Sequence, residues 1–363
     1  VIRRPLRIAA RLRGAAHAHD APLHRVTLRA VGLSRRGWWL GDAALLGLLD
    51  PVGGPAREAV AVPRRQWDAL QTALNPPAAA ERVQDKLAFA AACAHAGIPA
   101  PQPLAVLRRG PGDPGATAAA WAAGLAAVRA PAFVVKPAVG QRADGVRVLR
   151  PRGGDVVDGH GREWSWGALA ADMLAEGWDT GLAQPLLAPH PDVRALGGSD
   201  ALQTLRMITL TDDLGRPEVL YAALRITRPG AVVDNFRTGG ATTGNLLARV
   251  EPGGRLATPL MEDPRGAGLL RVAHHPDTGV LLTGFAVPAW KECLALARRA
   301  AEAFAPLRAV GWDVAPTADG PVLVEGNAWW NASADPDGGL VPVRHALQRA
   351  VAGGWRAREV VPA

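Results

Sequence analysis

Apolar residues fall at helical spacing in the first third of the chain and at strand spacing over most of the rest. Residues 40–49 and 66–74 read as short helices, the second ended by Asn75-Pro76-Pro77. Val83, Leu87, Ala90, Ala91 and Ala94 form an apolar stripe that predicts one helix over 79–95, closed by Gly97. Residues 98–107 are punctuated by proline and read as extended, and 116–129 as helix. Phe133-Val134-Val135-Lys136-Pro137 and Val146-Arg147-Val148-Leu149 read as a hairpin whose loop carries Gly140 and Gly145. A further strand pair, broken by Gly153-Gly154 and Asp158-Gly159, leads to a helix over 166–176 with Ser165 as its N-cap.

From Asp179 onward strands dominate. Residues 204–211 and 219–226 flank Asp212-Asp213-Leu214-Gly215, and short strands are expected at 232–236, 246–250 and 280–282. A helix over 288–305 precedes the last hairpin, 311–315 and 322–325 around Asp319-Gly320. Helices early and strands later predict an α+β protein of subdomains with a cleft between them.

Composition narrows the class. A chain of 363 residues, 48% hydrophobic and 20% charged, is globular and large enough for two or three domains. No apolar run nears twenty residues, so no membrane span is expected, and no apolar stretch follows the basic N-terminus as in a signal peptide. Cys93 and Cys293 have no metal or redox spacing, which suggests free thiols and a cytoplasmic setting. The net charge is +8, yet arginines are spread along the chain rather than clustered or threaded with aromatics, so no nucleic-acid partner is expected. Arg3, Arg7 and Arg11 read as a solvated helix stripe. Lysine is confined to Lys86, Lys136 and Lys291; none follows glycine, so no Walker A loop exists and phosphate must be held another way.

The chemistry concentrates near the C-terminus. Strand alternation puts Glu325 and Asn327 on one face, and the hairpin brings Asp313 back beside them. Oxygen donors of this kind suit a hard cation such as Mg²⁺, which usually completes its shell with phosphate. Solvated acids on a surface hairpin are the alternative. The strand-Lys136-loop-strand unit suits a flap whose small residues let backbone N–H groups approach phosphate, although any hairpin can carry one lysine.

Taken in order, these pieces resemble the ATP-grasp superfamily. Gln84-Asp85-Lys86 precedes the flap, 182–187 stand at the interdomain hinge, and His190-Pro191 follows. Thr204-Leu205-Arg206 and Asp234-Asn235-Phe236 with Gly239-Gly240 resemble the sugar-transfer-associated group, and the likeness runs over about 80–335. It implies an ATP-grasp fold of two α+β subdomains gripping ATP behind a small, mostly helical N-terminal region. The expected parts are 1–78, a small subdomain 79–183 and a large subdomain 184–363. It also implies ATP and Mg²⁺ as cofactors, with Mg²⁺ on Asp313, Glu325 and Asn327. Lys86, Lys136, Gly140 and Gly145 would serve the phosphates, and Gln184, Pro185, Leu186 and His190 the adenine edge, with Asn235 a further nucleotide contact. Arg206 would hold the γ-phosphate or an oxyanion. Arg225 would clamp a substrate carboxylate or form a structural ion pair.

The implied activity is carboxylate–amine ligation through an acyl phosphate, with small carboxylate and amine substrates and, as in many relatives, a homodimer. A phosphotransferase acting on a hydroxyl and a non-catalytic nucleotide-binding partner in polysaccharide or cell-envelope biosynthesis are the alternatives. The sequence departs from the family pattern in three places. Gln184-Pro185 stands where many relatives have an acid, Arg142 and Asp144 enter the flap, and Ala328-Trp329-Trp330 follows Asn327 where small residues are usual. Either tryptophan would line an acceptor pocket or pack in the core.

Overall fold

The fold is described from a computed structural model covering residues 3–357, apart from 112, 141–144, 239–240 and 332–334. Four helices open the chain: α1 (Arg3–Ala18), α2 (Leu23–Arg35), α3 (Leu40–Leu45) and α4 (Gly54–Val60). They bury Val26, Leu33, Trp38, Leu48 and Leu49 in a core of their own. Helix α5 (Arg64–Leu74) leaves that group and packs Trp67 and Leu74 against Trp330 and Leu347. Its C-cap, the buried Asn75, donates to the carbonyls of Ala309 and Ala328 and accepts from the N–H groups of Arg308 and Ala309. One side chain thus ties the end of α5 to both ends of the C-terminal hairpin.

The single helix expected over 79–95 is two, α6 (Pro77–Gln84) and α7 (Lys86–His95). Between them Asp85 is extended, with ψ 113, and its carboxylate accepts from the N–H groups of Leu87 and Ala88 at 2.8 and 3.1 Å. An aspartate satisfies orphan N–H groups better than it fills a helix interior, so the chain breaks there and restarts. The apolar stripe gave no warning because both helices bury it in one core, with Ala80 and Val83 from α6 and Phe89 and Cys93 from α7. Replacing Asp85 with alanine is expected to cost about 1 kcal/mol in denaturant unfolding, mostly restored by Asp85→Asn.

The first sheet has the order β1-β6-β2-β3-β4-β5 and is antiparallel throughout. Its strands are β1 (Ala105–Arg108), β2 (Phe133–Pro137), β3 (Arg147–Arg152), β4 (Asp155–Asp158), β5 (Glu163–Trp164) and β6 (Thr180–Pro185). Helices α8 (Pro114–Ala126) and α9 (Trp166–Ala175) close its core with Trp121, Leu125, Leu169 and Met173 against Phe133 and Leu149. Ser165 caps α9 as expected, accepting from Ala168 N–H at 3.2 Å. Strand β6 runs through 183–184, so the chain leaves this sheet only after Pro185.

A short helix, α10 (Pro191–Gly197), then precedes the second sheet, in a stretch for which no helix was expected. The second sheet has the order β13-β12-β11-β8-β7-β14-β15. It comprises β7 (Leu205–Thr211), β8 (Pro217–Ile226), β11 (Leu246–Arg249), β12 (Leu260–Glu262), β13 (Leu269–Arg271), β14 (Ala309–Thr317) and β15 (Gly320–Asn327). A two-residue pair, β9 (Arg237–Thr238) and β10 (Ala241–Thr242), stands apart. Helices α6, α7 and α11 (Trp290–Ala303) cover one face of the large sheet, while α5 and α12 (Val341–Val351) cover the other. Residues 79–95, expected with the first sheet, therefore pack on the second.

Two expected strands are absent. Residues 232–236 form bends and irregular backbone, with the Asp234 carboxylate drawn to Thr204 rather than lying in a ladder. Residues 280–282 contribute only a bridge between His274 and Leu281. Among the described residues no helix is long and apolar enough to cross a membrane. Both cysteines are buried and free, their thiols pushed up to about 12 by burial.

Candidate active site

The β14–β15 register sets Asp313 opposite Glu325 and Gly311 opposite Asn327, with an irregularity after Asp313. On the other side β7 sets Arg206 opposite Asp313. Arg206 grips that carboxylate as a fork, Nε to Oδ1 at 2.6 Å and Nη2 to Oδ2 at 3.1 Å, and Arg225 Nη1 reaches Oδ2 at 3.0 Å. Burial alone would raise the Asp313 carboxyl, but the two guanidiniums override it and hold the group well below the usual range. Arg225 also donates to Thr204 Oγ1 at 3.1 Å and lies 3.7 Å from Asp234.

Glu325 differs from its neighbour. Burial raises its carboxyl, Asp313 raises it further, and Lys136 pulls the other way. Asn327 Nδ2 stands 3.4 Å from Glu325 Oε1. No arginine makes an ion pair with Glu325 among the described residues, whereas both oxygens of Asp313 are claimed. Those residues hold no group of three or more His, Cys, Asp or Glu side chains suited to a metal. A cation here would rest on Glu325, the Asn327 amide oxygen and the remaining lone pairs of Asp313. That is an all-oxygen set, and a positive ion would offset two adjacent buried carboxylates, so the residues fit Mg²⁺.

Lys136 sits near the end of β2, 8% exposed, with no hydrogen bond or close ion pair among the described residues. Burial pushes its ammonium down to about 8, Glu325 opposing and Lys86 adding to the shift. Lys86 opens α7, where the Asp85 cap fixes its direction. Its N–H donates to Ala138 O at 3.0 Å and its Nζ to Gly140 O at 3.1 Å. Burial lowers its pKa too, with Glu325 and Asp85 opposing.

These groups line a cleft of about 440 Å³ between the two sheets, together with apolar Val134, Val148, Leu186, Leu202 and Val324. Cationic Lys86, Lys136 and Arg225 meet Asp234, Asp313 and Glu325 there. The volume lies within the ordinary range for a small-molecule site. Gln184 is buried and spends its side chain on Pro101 O at 2.7 Å. The N–H groups of Leu186 and Leu187, just past β6, make no hydrogen bond among the described residues, leaving donors at the cleft edge.

The structure brings Lys86, Lys136, Gly140, Gln184, Pro185, Leu186, Arg225, Asn235, Asp313 and Glu325 to this cleft. It does not bring four others there. Asn327 lines only a smaller adjoining cavity, which it shares with Lys86 and Glu325. His190 caps α10, its Nδ1 accepting from Asp192 N–H at 3.2 Å, because Pro191 starts a helix that needs an acceptor. Gly145 does not line the cleft; its φ of +78 and the Trp178 ring, 2.8 Å from where a Cβ would stand, explain the glycine. Arg206 lies behind Asp313 and its fork is occupied, so it orders the carboxylate rather than facing the cleft. Arg142, Asp144 and the Gly239-Gly240 loop lie outside the described residues. Trp330 is core, 5.1 Å from the Trp67 ring.

Sequence reasoning missed Asp234 and Thr204 as site residues. Asp234 accepts from Thr204 N–H at 2.8 Å and Oγ1 at 2.5 Å, while burial raises its carboxyl against the pull of Arg225. The Asp-Asn-Phe motif was the available signal, but motif letters do not say which oxygen meets which strand.

Other chains are similar to this one. Among solved structures, similar chains include biotin carboxylase from Campylobacter jejuni, with 12% identity over 79% of this chain and 50% of that one and a TM-score of 0.44. An N5-carboxyaminoimidazole ribonucleotide synthetase in complex with ADP is 12% identical over 74% and 52%, with a TM-score of 0.41. The L-amino acid ligase from Bacillus licheniformis is 12% identical over 75% and 48%, at 0.36. The chain spans about half the length of these three. No curated protein matches it. The profile of sugar-transfer associated ATP-grasp proteins matches residues 65–345, from α5 through the start of α12, and with it every element that builds the cleft. The chain is thus a member of the sugar-transfer associated ATP-grasp family.

Proposed function

We propose that the cleft binds Mg-ATP and that the chain is an ATP-dependent ligase joining a small carboxylate to an amine. The observation that carries this is Lys136, an ammonium buried in the cleft wall without a hydrogen-bond partner among the described residues. A cation is retained in such a place when something anionic arrives to meet it. A triphosphate supplies that charge, and the apolar walls with the free N–H edge at Leu186–Leu187 suit a purine. On this reading the first sheet with α8 and α9 is the small subdomain, and the second sheet with α11 is the large one.

Glu325 and Asn327, with Asp313, would hold Mg²⁺, which supplies charge neutralisation to the β- and γ-phosphates. Lys86 and Lys136 hold the phosphates as point charges, a task that suits a compact ammonium better than a planar guanidinium. A substrate carboxylate oxygen attacks the γ-phosphorus, the bond to the β-bridging oxygen breaks, and ADP leaves. The amine nitrogen then attacks the acyl carbon, the C–O bond breaks, and inorganic phosphate leaves; one amine proton passes to solvent. Arg225, which lines the cleft, would stabilise oxyanion charge in these steps. Incubation with Mg-ATP and candidate acids and amines, read by mass, tests the class. Ligated product with free phosphate supports it, and a phosphorylated hydroxyl in its place overturns it.

The pH dependence follows from Lys136. Its charged form binds phosphate, so nucleotide affinity is full below about pH 8 and falls above it, by up to about tenfold per pH unit. Lys136→Gln is expected to weaken Mg-ADP binding and to flatten this slope, measured by calorimetric titration from pH 7 to 9.5. For folding the same group acts in the opposite sense. The unfolded chain binds that proton up to about pH 10.4, so the Lys136 contribution to stability rises with pH between about 8 and 10.4.

A further inference from the structure

A second, smaller cavity of about 120 Å³ lies beside the nucleotide cleft. Lys86, Gly140 and Glu325 line both cavities. The rest of the small one is walled by Val83, Phe89, Val139, Gly326, Ala328 and Trp329, with Gln84 and Asn327 as polar groups. Trp329 is the first of the two adjacent tryptophans that follow Ala328. It is only partly buried, packing at the edge of the main core rather than within a core as Trp330 does; its Nε1 lies 3.4 Å from Thr72 Oγ1 on α5. We propose that this cavity is the acceptor pocket for a small carboxylate, its charged end at Lys86 and its apolar end against Val83, Phe89 and Trp329. The proposal rests on the Mg-ATP reading of the adjoining cleft.

Three observations converge on it. The cavity opens on Lys86 and Glu325, where a transferring phosphate would lie, so an acid seated there has its oxygens beside the reacting centre. Its polar groups stand toward β15 and the start of α7, while Phe89 and Trp329 offer only ring surface, which suits a molecule with one ionic end and one apolar end. Its volume is about a quarter of that of the nucleotide cleft beside it, which suits a short acid. Trp329 then sets the size limit, since Phe89 and Val83 are fixed in the main core.

The test uses the full chain with propanoate, L-alanine, 3-phenylpropanoate and L-phenylalanine as probes. Binding is read by calorimetry with saturating Mg-ADP, and turnover by ADP release from Mg-ATP. The wild type is expected to respond to the short acids and not to the aromatic ones, and the simple and amino acids separate the two sources of carboxylate. Trp329→Ala is expected to shift kcat/KM at least tenfold toward the aromatic acids with Mg-ADP affinity unchanged, while Trp329→Phe keeps the short-acid preference. Unchanged selectivity in Trp329→Ala overturns the proposal, as does no response to any probe while Mg-ADP still binds and Lys136→Gln weakens it. Absence of Mg-ADP binding overturns the nucleotide reading, and the acceptor pocket with it.

Discussion

Replacing Glu325 with glutamine is expected to leave the fold intact and to lower ATP turnover by about 10²-fold or more, the scale of losing one electrostatic stabiliser. The two halves of this expectation have separate causes. Glutamine keeps the shape, and Glu325 is held raised by burial and by the facing Asp313, so removing its charge relieves a repulsion. Melting temperature should therefore stay level or rise. Turnover falls because Glu325 is the carboxylate left over for a cation once Arg206 and Arg225 have taken Asp313. The variant has a second signature. Glu325 opposes the fall in the Lys136 pKa, so its loss should move the pH at which nucleotide binding weakens to a lower value. Near-normal ADP formation by Glu325→Gln, or an unmoved pH midpoint, would sink this assignment.

Asp313→Asn is expected to behave in the opposite way, as a folding defect first. Its carboxylate is 3% exposed and is shared by Arg206 and Arg225, whose side chains are themselves nearly enclosed. Removing the anion leaves two guanidiniums facing one another, with Asp234 and Glu325 nearby but no carboxylate gripped by both. Breaking a buried pair in this way typically costs about 3–5 kcal/mol, because the remaining charge stays uncompensated. The denaturant midpoint should drop accordingly. Replacing Arg206 with methionine in the same chain should recover part of the loss, since one stranded charge is then gone. An Asp313→Asn protein within about 1 kcal/mol of the wild type would mean that the arginine fork does not hold the hairpin.

Much of the fold was legible because its elements carry strong local signals. The last hairpin turning just before Gly320, Ser165 at a helix start, and the apolar run at 133–135 each follow from backbone chemistry acting over a few residues. The failures were of another kind. Asp85 breaks a continuous apolar stripe because its carboxylate caps a helix, and nothing in periodicity distinguishes a capping aspartate from one on a solvated face. Residues 232–236 look like a strand by composition, yet Asp234 is drawn to Thr204, thirty positions earlier in the chain.

The same division runs through the site. The sequence by itself determined the kinds of chemistry available: two lysines ahead of a sheet in a chain that otherwise uses arginine, and three oxygen donors on a final hairpin. It did not determine that Asp313 and Glu325 meet: the ladder runs in step from Thr317 and Gly320 to Val314 and Leu323, and only the shift after it brings Glu325 opposite Asp313. Only the tertiary structure decided how the charges are shared. It gave Asp313 to two arginines from neighbouring strands, left Glu325 with a raised carboxyl, buried Lys136 without a partner among the described residues, and turned Trp329 and Trp330 to different surroundings. Charge sharing depends on which side chains are desolvated together, and that is fixed by strand order and helix packing over the whole sheet rather than by any local run of residues.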